Sequence, residues 1–156
     1  MTRSFKMAVL LITMAVLCLT GHTFAQNQDP LIGTWNESGA ATDGSLPFIA
    51  IMNINAGGTT IETDTGGGNS STVESINLGK WRKVGVLAYS FKDQNYIYDT
   101  SGNLADININ VCTITLDPGL KSFSGNCNFG FYTCSLTQCP GSLLANVPGA
   151  ISGTRF

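Results

Sequence analysis

Ala105-Asp106-Ile107-Asn108-Ile109-Asn110-Val111 is the stretch that decides the fold. Apolar and polar residues alternate along it without a break, which is the period of two of a β-strand and does not build one face of a helix. The chain runs on through Cys112-Thr113-Ile114-Thr115-Leu116 into the turn-forming Asp117-Pro118-Gly119-Leu120, then into Phe123-Ser124-Gly125-Asn126-Cys127-Asn128-Phe129-Gly130-Phe131. That is strand, turn, strand. Pairing Leu116 with Phe123 leaves a loop of ordinary hairpin length and sets Cys112 directly opposite Cys127. Opposed residues in antiparallel strands hold their Cβ atoms about 4.5–5.5 Å apart, close to disulfide distance.

The same periodicity recurs outward from this hairpin. Leu46, Phe48, Ala50, Met52 and Ile54 share one parity, and Leu87, Tyr89 and Phe91 another. Turn chemistry separates the runs at Asn55-Ala56-Gly57-Gly58, Asp99-Thr100-Ser101-Gly102-Asn103 and Cys139-Pro140-Gly141. Residues 65–71, rich in glycine and serine, read as a flexible loop with no core residue. Asp99 and Asp117 are expected to bond their own backbone. Strands are expected over 31–38, 46–55, 58–64, 77–84, 86–98, 103–116, 122–133 and 144–155. About eight sequential strands with almost no helical pattern predict an all-β, antiparallel, up-and-down β-barrel, since closure removes the exposed edges. A β-sandwich fits the same pattern.

The N-terminus reads as a secretory signal peptide over residues 1–25. Arg3 and Lys6 precede an apolar run from Met7 to Leu19, and Thr23-Phe24-Ala25 offers small residues for cleavage. The run is short for a membrane span, and bulky Leu17 argues against lipidation at Cys18. A single domain over 26–156 is expected, secreted or periplasmic. Removing 25 of 156 residues leaves 131, takes the basic count from 8 to 6 against 10 acidic residues, and leaves four cysteines. The one histidine, His22, goes with the leader. A mature chain without histidine has no Ser-His-Asp or Cys-His centre and no histidine-bearing metal site. Its acidic balance does not suit nucleic acid.

In an oxidising compartment Cys112, Cys127, Cys134 and Cys139 are expected to form two disulfides. The preferred pairing is Cys112–Cys127 with Cys134–Cys139, the second bracketing Ser135-Leu136-Thr137-Gln138; the other two connectivities stay open. No C-x-x-C pair is present, which argues against a zinc ribbon or redox motif.

Leu31-Ile32-Gly33-Thr34-Trp35 resembles the G-x-W start of a lipocalin-type (calycin) barrel. The order of Pro47-Phe48, Gly58-Thr59, Gly79-Lys80-Trp81, Tyr98-Asp99 to Leu104, Phe123-Ser124-Gly125 and Gly153-Thr154-Arg155 is similar to that of small secreted lipocalin-like bacterial proteins of unassigned function. The four cysteines are not part of that pattern. The resemblance implies a barrel whose floor is Trp35 beneath Arg155, a cation–π contact of about 0.5–2 kcal/mol.

Chemistry without histidine falls to carboxylates, tyrosine or lysine. Glu62 and Asp64 share a parity, as a paired-carboxylate hydrolase requires, but beside a glycine loop they read as a solvated outer face. No catalytic residue is assigned. Lys80, Arg82 and Lys83 read as a solvated strand face. Phe48, Trp81, Tyr89, Phe91, Tyr96 and Tyr98 are the candidate ligand-binding residues, an apolar pocket with phenolic handles, or else ordinary core. The expected function is non-catalytic binding of a small, largely apolar ligand in the barrel, with no cofactor or metal. The alternatives are a barrel isomerase or cyclase working through a tyrosine or carboxylate, and an envelope or extracellular interaction protein with a filled core.

Overall fold

The hairpin around Asp117-Pro118-Gly119-Leu120 sets the register of the whole sheet. In the computed structural model, which describes residues 28–65 and 72–156, Leu116 pairs with Phe123 and Cys112 with Cys127. The leader expected over 1–25 lies outside the described residues. Asp117 accepts hydrogen bonds from the amides of Gly119, Lys121 and Ser122, which holds the turn closed. Asp99 does the same for Ser101 and Asn103, with Gly102 at φ 82° supplying the left-handed residue.

The described residues form nine strands: β1 (Gly33–Ala41), β2 (Phe48–Ile54), β3 (Thr59–Asp64), β4 (Thr72–Glu74), β5 (Asn77–Lys83), β6 (Ala88–Asp99), β7 (Leu104–Leu116), β8 (Ser122–Thr133) and β9 (Leu143–Arg155). All pairings are antiparallel. Eight strands pair in sequence around the wall, and β9 returns to β1 from Trp35↔Arg155 to Ala41↔Gly149. This is a closed up-and-down barrel, which decides between the barrel and the sandwich. The ninth strand, β4, was not anticipated. It pairs with the end of β6 (Val73↔Tyr98), beyond the point where β5 stops pairing at Leu78↔Gln94. Three residues are too few to show an alternation.

Both expected disulfides are formed. Cys112–Cys127 spans adjacent strands at Cα–Cα 4.1 Å inside the barrel, and Cys134–Cys139 closes a surface turn at 4.5 Å. Two such bonds point to an oxidising environment. No helix among the described residues is long and apolar enough to cross a membrane.

One end of the barrel is solid. Trp35 and Leu31 are fully buried there, and Trp35 Nε1 donates to the Leu31 carbonyl at 2.9 Å. The Arg155 guanidinium lies 4.4 Å from the Trp35 ring centroid and donates to the carbonyls of Leu120, Ile32 and Pro30. Asp29 ties the N-terminal segment across the same end, accepting from Leu31 N, Lys83 Nζ and Tyr89 Oη. Met52, Ile54, Tyr89, Phe91, Ile114, Leu116 and Phe123 fill the space above. Each large apolar side chain buried there contributes about 1.5–3 kcal/mol.

Candidate functional site

Strand parity decides what fills the other end. Cys112, Ile114 and Leu116 face inward, and β7 carries that parity without a register shift to Asn110, Asn108 and Asp106. The polar side of the alternating stretch therefore faces the lumen, while Val111 on its apolar side is 46% exposed. On β6 the same logic takes Tyr89 and Phe91 inward and continues to Asp93, Asn95 and Ile97.

The result is a cavity of about 250 Å³ at the mouth, away from the Trp35 floor. One wall is apolar: Leu46, Phe48, Ile97, Phe129 and Phe131. Phe48 and Phe129 meet edge to face at 6.0 Å. Phe129 fits because it lies on Gly149, where a Cβ would stand 2.3 Å from its ring. Leu46, at φ 53°, sets the rim with a left-handed backbone rare for leucine.

The facing wall is polar, lined by Glu62, Asp64, Thr72, Glu74, Asp106, Asn108 and Asn110. Asn77 Nδ2 donates to Glu62 Oε1 at 3.3 Å and Asp64 Oδ2 at 2.8 Å. Asn95 Nδ2 donates to Glu74 Oε2 at 2.6 Å, and Asn110 Nδ2 to Asp93 Oδ1 at 2.8 Å. Glu37 and Asp93 are also buried. Gly79 makes room for Asp93, since a Cβ there would lie 2.6 Å from the Asp93 Cβ and 2.4 Å from Thr60 Oγ1.

Burial governs the ionisation of this wall. It raises Glu62 to about 8, helped by the charges of Asp93 and Asp64 and opposed by the Asn77 hydrogen bond. It raises Asp93 to about 6, against the hydrogen bond from Asn110. Glu37 is pushed well above the ordinary carboxyl range by burial and then by Glu62, Asp93 and Asp64. Among the described residues the basic side chains Lys80, Arg82, Lys83, Lys92, Lys121 and Arg155 are all exposed. The expectation that Glu62 belongs to a solvated outer face is thus overturned, since it is 6% exposed inside the barrel.

The candidate aromatics divide three ways. Phe48 lines the cavity. Trp81, Tyr89 and Phe91 belong to the floor core, where Trp81 and Tyr89 rings stand 5.8 Å apart. Tyr96 and Tyr98 have the opposite parity on β6; Tyr96 is 37% exposed and Tyr98 stands beside exposed Val73. Lys83 of the basic cluster pairs with Asp29 at 3.0 Å. A wider hollow of about 820 Å³ lies on the outer face, with small hydroxyls and isoleucines such as Ser38, Ile49, Ile51, Ser152 and Thr154. The inner cavity is the better candidate because four carboxyls, the buried Glu62 among them, line it opposite three phenylalanines.

No known protein family, curated protein or solved structure matches this chain. What the site does is therefore read from its own chemistry. Phe129, Phe131, Asp93 and the asparagines Asn77, Asn95, Asn108 and Asn110 went unrecognised as site residues in the sequence. The parity of Cys112-Ile114-Leu116 and of Tyr89-Phe91, extended toward the mouth, is the signal that points to Asn108 and Asn110, and to Asp93 and Asn95.

Proposed function

We propose that the protein is an exported, lipocalin-like barrel that holds a small molecule in its mouth without altering it. The observation that carries this is the cavity of about 250 Å³ with a phenylalanine wall facing a wall of carboxyls and amides, of which Glu62 and Asn108 are buried. Concave, partly apolar sites with a few convergent polar groups suit small ligands. The mixed lining favours an amphipathic ligand over the largely apolar one expected from sequence. Export is supported by the leader pattern of Arg3, Lys6 and Met7 to Leu19 and fits the disulfides. Native mass spectrometry of protein from its own host tests the proposal. A co-purifying small molecule is expected. Protein that carries none, and whose Phe129 and Phe131 ring signals ignore a fragment library, overturns it.

Glu62 favours a second reading. A cavity carboxyl raised to about 8 by burial is suited to general acid–base work near neutral pH. An isomerase or cyclase reading predicts a turnover abolished by Glu62→Gln. Binding without turnover in both forms excludes it.

A further inference from the structure

We infer that the tip of the β8–β9 hairpin is a lipid-docking surface: Leu136, Leu143 and Leu144 enter the acyl boundary of a membrane without net charge, and tyrosines of the mouth rest at its headgroups. The inference is independent of the ligand reading above, since it concerns the outer rim of the mouth and not the cavity.

The exposure of the leucines carries it. Residues 135–140 are exposed without interruption, and Leu136 at the apex is 97% exposed. Leu143 and Leu144, where the chain returns into β9, are 55% and 56% exposed. The tip stands clear because β1 ends its ladder with β9 at Ala41↔Gly149, adds one last bond from Thr42 N to the Pro148 carbonyl, and turns away. Among the described residues, β9 from Val147 back to Leu143 pairs with β8 alone. The projection is held in shape. Cys134–Cys139 closes its base, Ser135 N donates to the Gln138 carbonyl, and Gln138 N donates to the Ser135 carbonyl. The loop therefore holds Leu136 out in water instead of folding it onto the wall, and satisfies backbone groups that a lipid boundary would leave unpaired.

Charge selects lipid as the occupant. Between Lys121 and Arg155 the sequence has no charged residue, so the whole hairpin can meet an apolar boundary without stranding a charge. Among the described residues Lys83, Lys121 and Arg155 lie at the floor and Lys80, Arg82 and Lys92 on β5 and β6, while the mouth turns carry Asp43 and Asp99. A membrane met mouth first is therefore one without excess negative charge. Beside the leucines, Tyr96 and Tyr132 flank buried Ile107 across three strands, Tyr132 pairs with Leu143, and Tyr98 stands next to exposed Val73. Tyrosine, apolar in body and polar at its tip, settles at a membrane–water interface where aliphatic neighbours go deeper.

Other occupants fit the tip less well. A specific protein interface buries about 800 Å² on each partner, and a narrow projecting tip offers a rigid partner little of that, whereas fluid hydrocarbon closes around a convex one. The floor also exposes Val86 and Phe156, but in segments that carry Lys83 and Arg155, which suits an anionic surface and not a neutral one. Docked by its rim, the barrel turns toward the lipid the cavity that Phe129 and Phe131 of the same hairpin line.

Co-sedimentation of the mature protein with vesicles of phosphatidylcholine, and separately of phosphatidylglycerol, tests this. Binding to phosphatidylcholine is expected at least as strongly as to phosphatidylglycerol. Replacing Leu136 and Leu144 together by serine should lower it about tenfold or more, and Val86→Ser should leave it unchanged. No binding to either vesicle overturns the inference, including the case in which the leucines instead join two copies and the double variant lowers the mass in solution. Binding confined to phosphatidylglycerol, kept in the double variant, or lost as much in Val86→Ser places the contact elsewhere and also overturns it. Should the double variant not fold, Leu136→Trp decides. Its emission is expected to shift to the blue and to be quenched by bromine-labelled acyl chains in phosphatidylcholine vesicles, and an indole that stays in water overturns the docking.

Discussion

Raising the pH should loosen this barrel, and Glu62→Gln should remove much of that loosening. The Glu62 carboxyl sits at about 8 in the folded chain against an ordinary 4.5. Below about pH 4.5 both folded and unfolded chains hold this proton, and the stabilisation of the neutral, buried acid is fully present. Between there and about pH 8 the unfolded chain ionises while the folded chain keeps its proton, so stability falls with each step in pH. Above that range the loss is complete. The gap between about 8 and 4.5, at about 1.4 kcal/mol per pH unit, gives a ceiling of roughly 5 kcal/mol. Part of the elevation comes from the charge of Asp93, itself raised to about 6. The two titrations therefore overlap, and the loss belonging to Glu62 alone is smaller than this ceiling. The opposite sign governs Asp29, whose burial would raise it but which the hydrogen bonds from Tyr89, Leu31 and Lys83 hold below its ordinary value. Its contribution is present above the ordinary carboxyl value and lost as pH falls below it, so stability peaks near about pH 5. Urea titrations at about pH 5, 7 and 9 read this directly. Glutamine keeps the oxygen that Asn77 Nδ2 uses and adds a donor among acceptors, so the variant's profile should be markedly flatter. A wild type equally stable at both ends, or a variant running parallel to it, refutes the assignment of a buried, proton-holding Glu62.

Replacing Cys112 and Cys127 together by alanine opens a loop of sequence separation 15, and should cost about 3 kcal/mol in urea denaturation. The same change at Cys134 and Cys139, of separation 5, should cost less, about 2 kcal/mol; the reverse order would contradict the placement of the first bond in the barrel wall. Arg155→Lys keeps a charge near Trp35 but cannot reach three carbonyls at once. A loss of about 1–3 kcal/mol in thermal unfolding is expected, and an unchanged midpoint would show that the floor does not depend on the guanidinium fork. Gly149→Ala places a methyl 2.3 Å from the Phe129 ring and 2.5 Å from the Ala40 carbonyl. It should cost about 1–3 kcal/mol by overpacking and shift the Phe129 ring signals in NMR spectra; a neutral variant with an unmoved Phe129 would contradict the ring's position.

The hairpin was legible because a turn sequence and a two-residue period together fix register, and Cys112 opposite Cys127 follows from them. The facing of β7 was less legible. Around Ile107, Ile109 and Val111 the local pattern invites an apolar lumen, yet the strand's other half holds Cys112, Ile114 and Leu116 on the opposite parity, and the larger cluster wins. A slip by one residue would turn that whole cluster outward, which costs more than placing three polar side chains inside. Glu62 was misread for a related reason. Beside the glycine loop its neighbours looked solvated, but Thr60 and Glu62 alternate inward on β3 with Asn77 as cross-strand partner, a relation that only the sheet reveals. The floor was more legible, since Trp35 and Arg155 lie in short motifs of distinctive order.

The strand that opens the sheet and the strand that ends it are neighbours. Every other pairing around the wall joins strands that follow one another along the chain, so a chain emerging N-terminus first can zip those hairpins as they appear. The seam between β1 and β9 has to wait for β9. Until it arrives, β1 presents a row of unpaired amides and carbonyls, a template that another chain's strand can occupy. The barrel is thus a clasp whose two halves are synthesised at opposite times. Its most hazardous interval is the one in which every hairpin is ready and Arg155 has not yet reached Trp35.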